Sequence, residues 1–419
     1  MNRRYFLPTL AAAARVSWSA ADRVTVGVVG IRGRGRALAA QFAALPDANV
    51  AYLCDADQST FERAAKAVEE RDVPRPQMVG DLRRMLEDKS VDAIVIATPD
   101  HWHTPAALLA CAAGKDVYVE KPASHNVREG RLLMEAAKRY KRVIQHGTQA
   151  RSMPSIQRAI EFVRSGKVGT VLMAKVWNVQ KRANIGHKSD QPVPPGVDYE
   201  SWTGPALMLP FNLNRFHYGW HWHWNYGTGD IGNDGIHEID IARWALDVGA
   251  PKEVSGMGRK VFFDDDQQTP DTMNITYDYG AKLMQFEMRI WNPYGMQGQD
   301  NGVDVYGSEG RVQIGPFHDR KWGFKVFDGK DKLVFYDDAN EPETHARNFL
   351  EAVRGRKAGP ADAEIAHLSC IHSHLGNIVA RVRRNIRFDP ATETIQNDAQ
   401  ASALLRRQYR RHWGTPSPV

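Results

Sequence analysis

The stretch Val24 to Asp55, VTVGVVGIRGRGRALAAQFAALPDANVAYLCD, limits the folds open to this chain more than any other. Val24 to Val29 is a short, β-branched apolar run, the pattern of a strand covered on both faces. Gly30, Gly33 and Gly35 follow at once, then a helical pattern from about Arg36 to Ala44. A second apolar run, Val50 to Leu53, ends just before Asp55. Strand, glycine turn, helix, strand and acid in that order form the first half of a dinucleotide-binding unit. Small residues let the backbone approach a pyrophosphate, the helix N-terminus faces its charge, and the acid takes the ribose hydroxyls. The spacing departs from G-x-G-x-x-G: the second glycine position holds Arg32, and a glycine follows one later at Gly33. Asp55 would repel a 2′-phosphate, so the expected cofactor is NAD.

Strand and helix patterns alternate from Val24 to Gly147. Apolar runs at Val91 to Ala97, Asp116 to Val119 and Arg142 to His146 are separated by helical patterns at Phe61 to Arg71, Pro105 to Ala113 and Arg128 to Tyr140. That is the signature of a doubly wound parallel sheet, with its ligand at the carboxyl ends of the strands. After Gly147 the pattern changes. A helix over Ser155 to Arg164 and a strand over Thr170 to Asn178 lead into an irregular stretch, Gln180 to Thr228, long enough to suggest function. A helix over Ile236 to Leu246 follows, then alternating runs at Asp271 to Tyr279, Lys282 to Ile290, Gly302 to Gly307, Arg311 to Ile314 and Lys325 to Phe327, which read as an antiparallel sheet. Helices are expected at His345 to Val353, Ala363 to Val382 and Asn397 to Arg411. The fold class is α/β, with a dinucleotide domain over 22–147 and an α+β domain over 148–419.

Residues 1–21 read as an export leader. Arg3-Arg4 begins a twin-arginine pattern, a mildly apolar stretch reaches Ala14, and small residues between Ser17 and Ala21 offer cleavage positions. A periplasmic location is expected. No later run reaches the ~18 apolar residues of a membrane span. The 55 basic and 49 acidic residues are dispersed, and the net charge of +6 forms no block. This argues for a solvated basic surface and against a nucleic-acid stripe. Three separated cysteines, Cys54, Cys111 and Cys370, offer neither a zinc spacing nor a disulfide framework.

Four segments carry a resemblance: the Gly30 loop, ATPDHWH at Ala97 to His103, AGKDVYVEKP at Ala113 to Pro122, and GDIGNDGIHEIDIARWAL at Gly229 to Leu246. The chain resembles the glucose–fructose oxidoreductase and inositol dehydrogenase family, Gfo/Idh/MocA. The resemblance implies a Rossmann domain followed by a domain with an open, mostly antiparallel sheet that builds homodimers or homotetramers. It also implies NAD(P)-dependent oxidation or reduction of sugars, cyclitols and related polyols, with Lys121 as the catalytic lysine and His237 as acid/base. The family's carboxylate four residues before that histidine is here Asn233, with Asp234 one later. Either Asp234 substitutes, or Lys121 and His237 do the acid–base work alone. The resemblance places Thr98, Asp100, His103, Glu120 and Gln149 beside the cofactor and Arg151 beside the substrate.

The segment HYGWHWHWNY, His217 to Tyr226, is the most unusual in the chain. If extended, it puts His221 and His223 on one face and Trp220, Trp222 and Trp224 on the other. Indole faces suit the C–H faces of sugar rings, and imidazoles suit hydroxyls. A metal set of His217, His221 and His223 lacks a carboxylate or cysteine at an evident spacing, and no metal is expected. His372 and His374 read as structural. The expected function is hydride transfer between a sugar or polyol carbinol and a tightly held nicotinamide. Two alternatives stand beside it. One is a glycosidase or lyase using NAD transiently; relatives of that kind tend to lack the lysine of EKP. The other is a non-catalytic NAD- and sugar-binding protein.

Overall fold

The computed structural model describes residues 23–317, 320–337, 339 and 344–417. The expected leader lies outside the described residues.

The first half alternates as the sequence predicts: β1 (Val24–Val29), α1 (Arg34–Ala43), β2 (Ala48–Cys54), α2 (Phe61–Glu69), β3 (Gln77–Val79), α3 (Arg83–Glu87), β4 (Ala93–Ile96), α4 (Asp100–Ala112), β5 (Asp116–Val119), α5 (Val127–Tyr140) and β6 (Ile144–His146). The strands pair in parallel in the order β3-β2-β1-β4-β5-β6. The order reverses between β1 and β4, and the crevice above such a switch point is where ligands bind. Val26, Val28, Ile94 and Val95 are fully buried, as strands covered on both faces require.

The second half runs α6 (Pro154–Arg164), β7 (Val171–Val179), α7 (Tyr199–Thr203), α8 (Ile236–Leu246), β8 (Glu253–Arg259), β9 (Thr272–Asp278), β10 (Leu283–Arg289), β11 (Asn301–Gly307), β12 (Gly310–Pro316), β13 (Trp322–Asp328), β14 (Leu333–Asp337), α9 (His345–Gly355), α10 (Ala363–Val382), β15 (Ile386–Asp389), β16 (Thr394–Ile395) and α11 (Ala399–Ala403). Ten strands form one sheet, β14-β13-β12-β11-β7-β10-β9-β8-β15-β16, antiparallel except for β7 beside β10. Helices α8, α10 and α6 lie on it, over β7 and β11, β8, and β12 and β13 respectively. Helix α9 instead returns to the first sheet, where Phe349 and Leu350 pack with Phe42.

Three expectations are corrected. Helix α4 begins at Asp100, five residues before Pro105, which lies inside it. Pro105 has no N–H for the His101 carbonyl, and Arg407 Nη2 donates to that oxygen instead, at 2.7 Å. The tail is not a helix from Asn397 to Arg411: only Ala399–Ala403 is helical, because the arginines beyond it bond to distant elements. The segment from His217 is not extended: His217–Trp222 forms a 3₁₀ turn, so the alternating faces do not exist. The irregular stretch around it folds back onto the first half. Asp57 bridges Val197, Asp198 N–H donates to the Ala56 carbonyl at 2.8 Å, and Tyr199, Trp202, Phe211, Phe216 and Tyr226 make a core of their own.

Candidate active site

A cleft of about 670 Å³ crosses the carboxyl ends of β1, β2, β4 and β5. Its floor is the glycine loop. Gly30 has φ +79°, and a Cβ there would lie 2.6 Å from the Ala97 backbone. At Gly35 a Cβ would meet the Gly30 carbonyl at 2.0 Å, so this glycine serves helix–strand packing and does not itself line the cleft. Gly33 has open space where a side chain would go, and α1 begins beside it with no side-chain cap. The uncapped N–H groups and the helix dipole face the cleft, a cradle for a phosphate. Asp55 stands at the end of β2, accepting from Ile31 N–H at 2.9 Å and Asp57 N–H at 3.0 Å. Burial pushes its carboxyl up to about 6 against those two donors, leaving it an anion at neutral pH. These residues fit a dinucleotide, and Arg32, at the rim beside His217, does not fill the loop.

At the other end, Lys121 and His237 line the same cleft although 116 positions separate them. A π-helical turn, Ile231–Gly235, precedes α8 and carries Asn233 and Asp234 into the cleft. Lys121 Nζ donates to Asn233 Oδ1 at 2.8 Å and also to the Asn233 carbonyl. Asn233 Nδ2 in turn donates to Asp230 Oδ1 at 3.0 Å. Arg182 binds both Asp230 and Asp234. Burial opposes ionisation of Asp234, yet Lys121 and Arg182 bring its carboxyl below the usual range. Burial pulls the His237 imidazole down to about 4, and Lys121 adds to this against Asp234 and Glu120. Among the described residues the His237 ring makes no hydrogen bond, which leaves a neutral base facing the cleft. Glu120 accepts from Arg34 Nε at 2.8 Å and from Gln149 Nε2 at 3.3 Å. Despite burial, Arg34 and Lys121 bring its carboxyl down to about 2.

Thr98, His103, Trp220 and His221 also line the cleft. His103 has Nδ1 on the Pro122 carbonyl and Nε2 on the Thr98 carbonyl, so it braces two strand ends. His221 stacks on Trp220, with ring centroids 3.6 Å apart. Behind His237 a second cavity of about 230 Å³ is lined by Asn178, Gln180, Glu238, Asn301 and Trp322. The sequence-based set included several residues that the structure keeps out of the cleft. Asp100 is buried and accepts from the Thr228 N–H at 3.0 Å and its hydroxyl at 2.7 Å, an anchor for the segment before the π turn. Arg151 is buried against Asp240 through two bonds of 2.8 and 2.9 Å. Trp222 belongs to the core of the second half. His223 is buried away from the cleft, and Trp224 lies under Arg381, because the 3₁₀ turn redirects all three.

Sequence reasoning missed Arg34, Arg182, Tyr218, Trp102, Trp202 and Trp413. The Tyr218 hydroxyl reaches the Asn233 side chain, and the others line the cleft or hold its acids. Arg34 adjoins the glycine loop and was within reach of inspection. Trp102 lies within ATPDHWH and Tyr218 within the histidine–tryptophan segment, both singled out for other residues, while Arg182, Trp202 and Trp413 come from segments with no local motif. Among the described residues, no group of three or more His, Cys, Asp or Glu could hold a metal, and no helix is long and apolar enough to cross a membrane.

Comparison with known proteins agrees with this geometry. Residues 24–148 match the model described as oxidoreductase family, NAD-binding Rossmann fold, and residues 170–415 match oxidoreductase family, C-terminal alpha/beta domain. A glycosyl hydrolase family 109 protein of Saccharopolyspora erythraea is 33% identical over 164 residues, 38% of this chain and 35% of that protein. The chain spans about a third or less of the length of the curated relatives it matches. The aldose-aldose oxidoreductase of Caulobacter crescentus, solved with glycerol, is similar with a TM-score of 0.66 at 17% identity, over 87% of this chain and 100% of that one. The WlbA dehydrogenase of Bordetella pertussis, solved with NADH and UDP-GlcNAcA, gives 0.65 at 17% identity, over 88% and 99%. The two family models together cover most of the sequence, and the chain belongs to the Gfo/Idh/MocA oxidoreductase family, with an NAD-binding Rossmann fold over residues 24–148.

Proposed function

We propose that the protein is an NAD-dependent oxidoreductase that acts on a carbinol of a sugar or polyol and holds its cofactor between turnovers. The observation that carries this is the meeting of Lys121 and His237 in one cleft, with Asn233 fixing the lysine. NAD, when bound, supplies the hydride acceptor. His237, neutral and unbonded, is placed to take the hydroxyl proton. Lys121 orients and polarises the same oxygen through the one N–H that Asn233 leaves unused. Asp234 is tied to Arg182 and held as an anion. This favours Lys121 and His237 doing the proton chemistry alone, with Asp234 as an electrostatic neighbour. The amides of the cavity behind His237 and the Trp322 indole suit a hydroxylated ring. Asp55 favours NAD over NADP by repelling a 2′-phosphate. Export by the twin-arginine route, which carries folded proteins, is consistent with a retained cofactor, and a homodimer or homotetramer belongs to the same reading.

The test begins with the purified protein and no added nucleotide. Denaturation and mass spectrometry should release stoichiometric NAD or NADH; NADP would overturn the role of Asp55. Lys121→Ala should lower the chemical step by orders of magnitude with the nucleotide still bound, and normal turnover in that variant would refute the assignment. A second reading has its own support in the relatives named glycosyl hydrolase family 109. In it, oxidation is transient and a glycosidic bond is cleaved with no net redox change. Cleavage of a glycoside without accumulation of NADH would favour it.

A further inference from the structure

The far end of the cleft is closed by the end of the chain. Leu82 follows β3 and Lys121 follows β5, four strands apart in the sheet, or about 19 Å at the usual strand spacing. That span suits an extended dinucleotide with its nicotinamide at Lys121, so the adenine end falls beside Leu82. There the cleft is walled by three indoles, Trp102, Trp202 and Trp413. Trp413 stands on Trp102 with ring centroids 5.3 Å apart, and the Arg83 guanidinium lies 4.5 Å over its ring.

The tail reaches this place through a set of directed bonds. Arg410 Nε donates to the Gly204 carbonyl at 2.6 Å, Nη2 to the Glu200 carbonyl at 3.0 Å, and Nη1 pairs with the Glu200 carboxylate at 2.5 Å. Arg407 pairs with buried Glu129 at 2.8 Å and supplies the bond that Pro105 cannot make to His101. Trp102 Nε1 donates to the Ser201 carbonyl at 3.0 Å, and Gly204, at φ +55°, lies so close that a Cβ would sit 2.2 Å from the indole. The start of α4, the 200–204 turn and the tail are therefore one interlocked wall.

We propose that the C-terminal tail is part of the dinucleotide site: Trp413 forms the outer wall of the adenine pocket, and Arg410 holds the 200–204 turn closed over it, so that bound nucleotide does not exchange. This rests on the reading that the cleft takes a dinucleotide, and it adds the residues that retain it. Stacking of a base on an aromatic ring is worth enough that losing one ring should weaken binding about tenfold or more.

The full-length protein, stripped of nucleotide, is compared with its Trp413→Ala and Arg410→Gln variants. Calorimetry with ADP-ribose measures binding of the nucleotide without its nicotinamide, and fluorescence measures NADH release. Trp413→Ala should weaken ADP-ribose about tenfold or more and speed NADH release by at least as much. Arg410→Gln should speed release while the indole remains. Should Trp413→Ala fail to fold, the NADH release rate of Arg410→Gln decides the matter. Wild-type ADP-ribose affinity in a folded Trp413→Ala, or a wild-type NADH release rate in a folded Arg410→Gln, would overturn the proposal. A wild-type protein that binds neither ADP-ribose nor NAD would refute the dinucleotide reading itself, and the role of the tail with it.

Discussion

Arg151 offers the sharpest test of the structure against its own sequence, because the family resemblance makes it a substrate contact and the fold makes it half of a buried ion pair. Asp240 is fully buried, receives both Arg151 bonds, and accepts a third from the Ser369 hydroxyl at 2.6 Å. Burial alone would raise its carboxyl, but Arg151 first, then Arg243 and Ser369, bring it down from 3.8 to about 2. That drop corresponds to roughly 2–3 kcal/mol of folding stability. Its sign follows from the direction: the stabilisation is present above the unfolded value near pH 4 and is lost as pH falls towards 2. Removing one partner also strands the other charge in the interior, a change that costs about 3–5 kcal/mol in buried pairs. Urea unfolding followed by tryptophan fluorescence should therefore show Asp240→Asn and Arg151→Met each destabilised by about 3 kcal/mol at pH 7. The gap between wild type and Asp240→Asn should close between pH 4 and pH 2. The double variant Arg151→Met/Asp240→Leu should regain part of the loss, since no unpaired charge of this pair remains. An Arg151→Met protein of wild-type stability with a raised KM would refute the reasoning and return Arg151 to the substrate.

Further outcomes follow from the same geometry. With His237 held down to about 4, the base is free throughout the neutral range, so the acid limb of kcat/KM for alcohol oxidation should fall near pH 4, and a limb near 6.5 would count against it. His237→Gln should lower turnover by about 10²–10⁴-fold with nucleotide binding retained. Gly35→Ala, whose Cβ would press on the Gly30 carbonyl, should cost about 1–3 kcal/mol in urea unfolding and reduce the nucleotide that copurifies. Asn233→Asp keeps the acceptor for Lys121 but brings a third carboxylate to Asp230 and Asp234, and burial and Asp234 already push Asp230 up to about 6. One of the three must then take a proton at neutral pH, so this variant should lose stability relative to wild type as pH rises above about 6.

The first sheet was legible because its strands are buried on both faces and so appear as unbroken β-branched runs, as at Val24–Val29 and Ala93–Ile96. Its edge was not: β3 is three residues, Gln77–Val79, largely exposed and preceded by Pro74 and Pro76. Strand β8 hid for another reason, since Ser255-Gly256-Met257-Gly258 has no strand propensity and is held by pairing with β9 across the whole of its length. The histidine–tryptophan segment misled in the opposite direction. Its alternation has the period of a strand, but Trp222 is claimed by the core and His221 by stacking on Trp220, and a 3₁₀ turn satisfies both.

The site divides along the same line. Gly30, Asp55, Thr98, Glu120 and Lys121 could be placed from the sequence because each sits at the end of a strand, where the sheet alone fixes its position. Gln149 and Arg151 show how short that reach is. Both lie in one 3₁₀ turn, Gln149–Ser152, yet the turn directs the first to Glu120 in the cleft and the second to Asp240, 89 residues further along the chain. Whether such a residue meets a substrate or an ion-pair partner depends on what the second half of the chain brings to it. Arg182 and Trp413 are the same case without a motif to suggest them, and Tyr218 sits in a segment singled out for its other residues: their places are set by contacts to Asp230 and Asp234, to Trp102, and to Asn233. The strand ends thus form the floor of the cleft, while the long loop and the tail supply its walls.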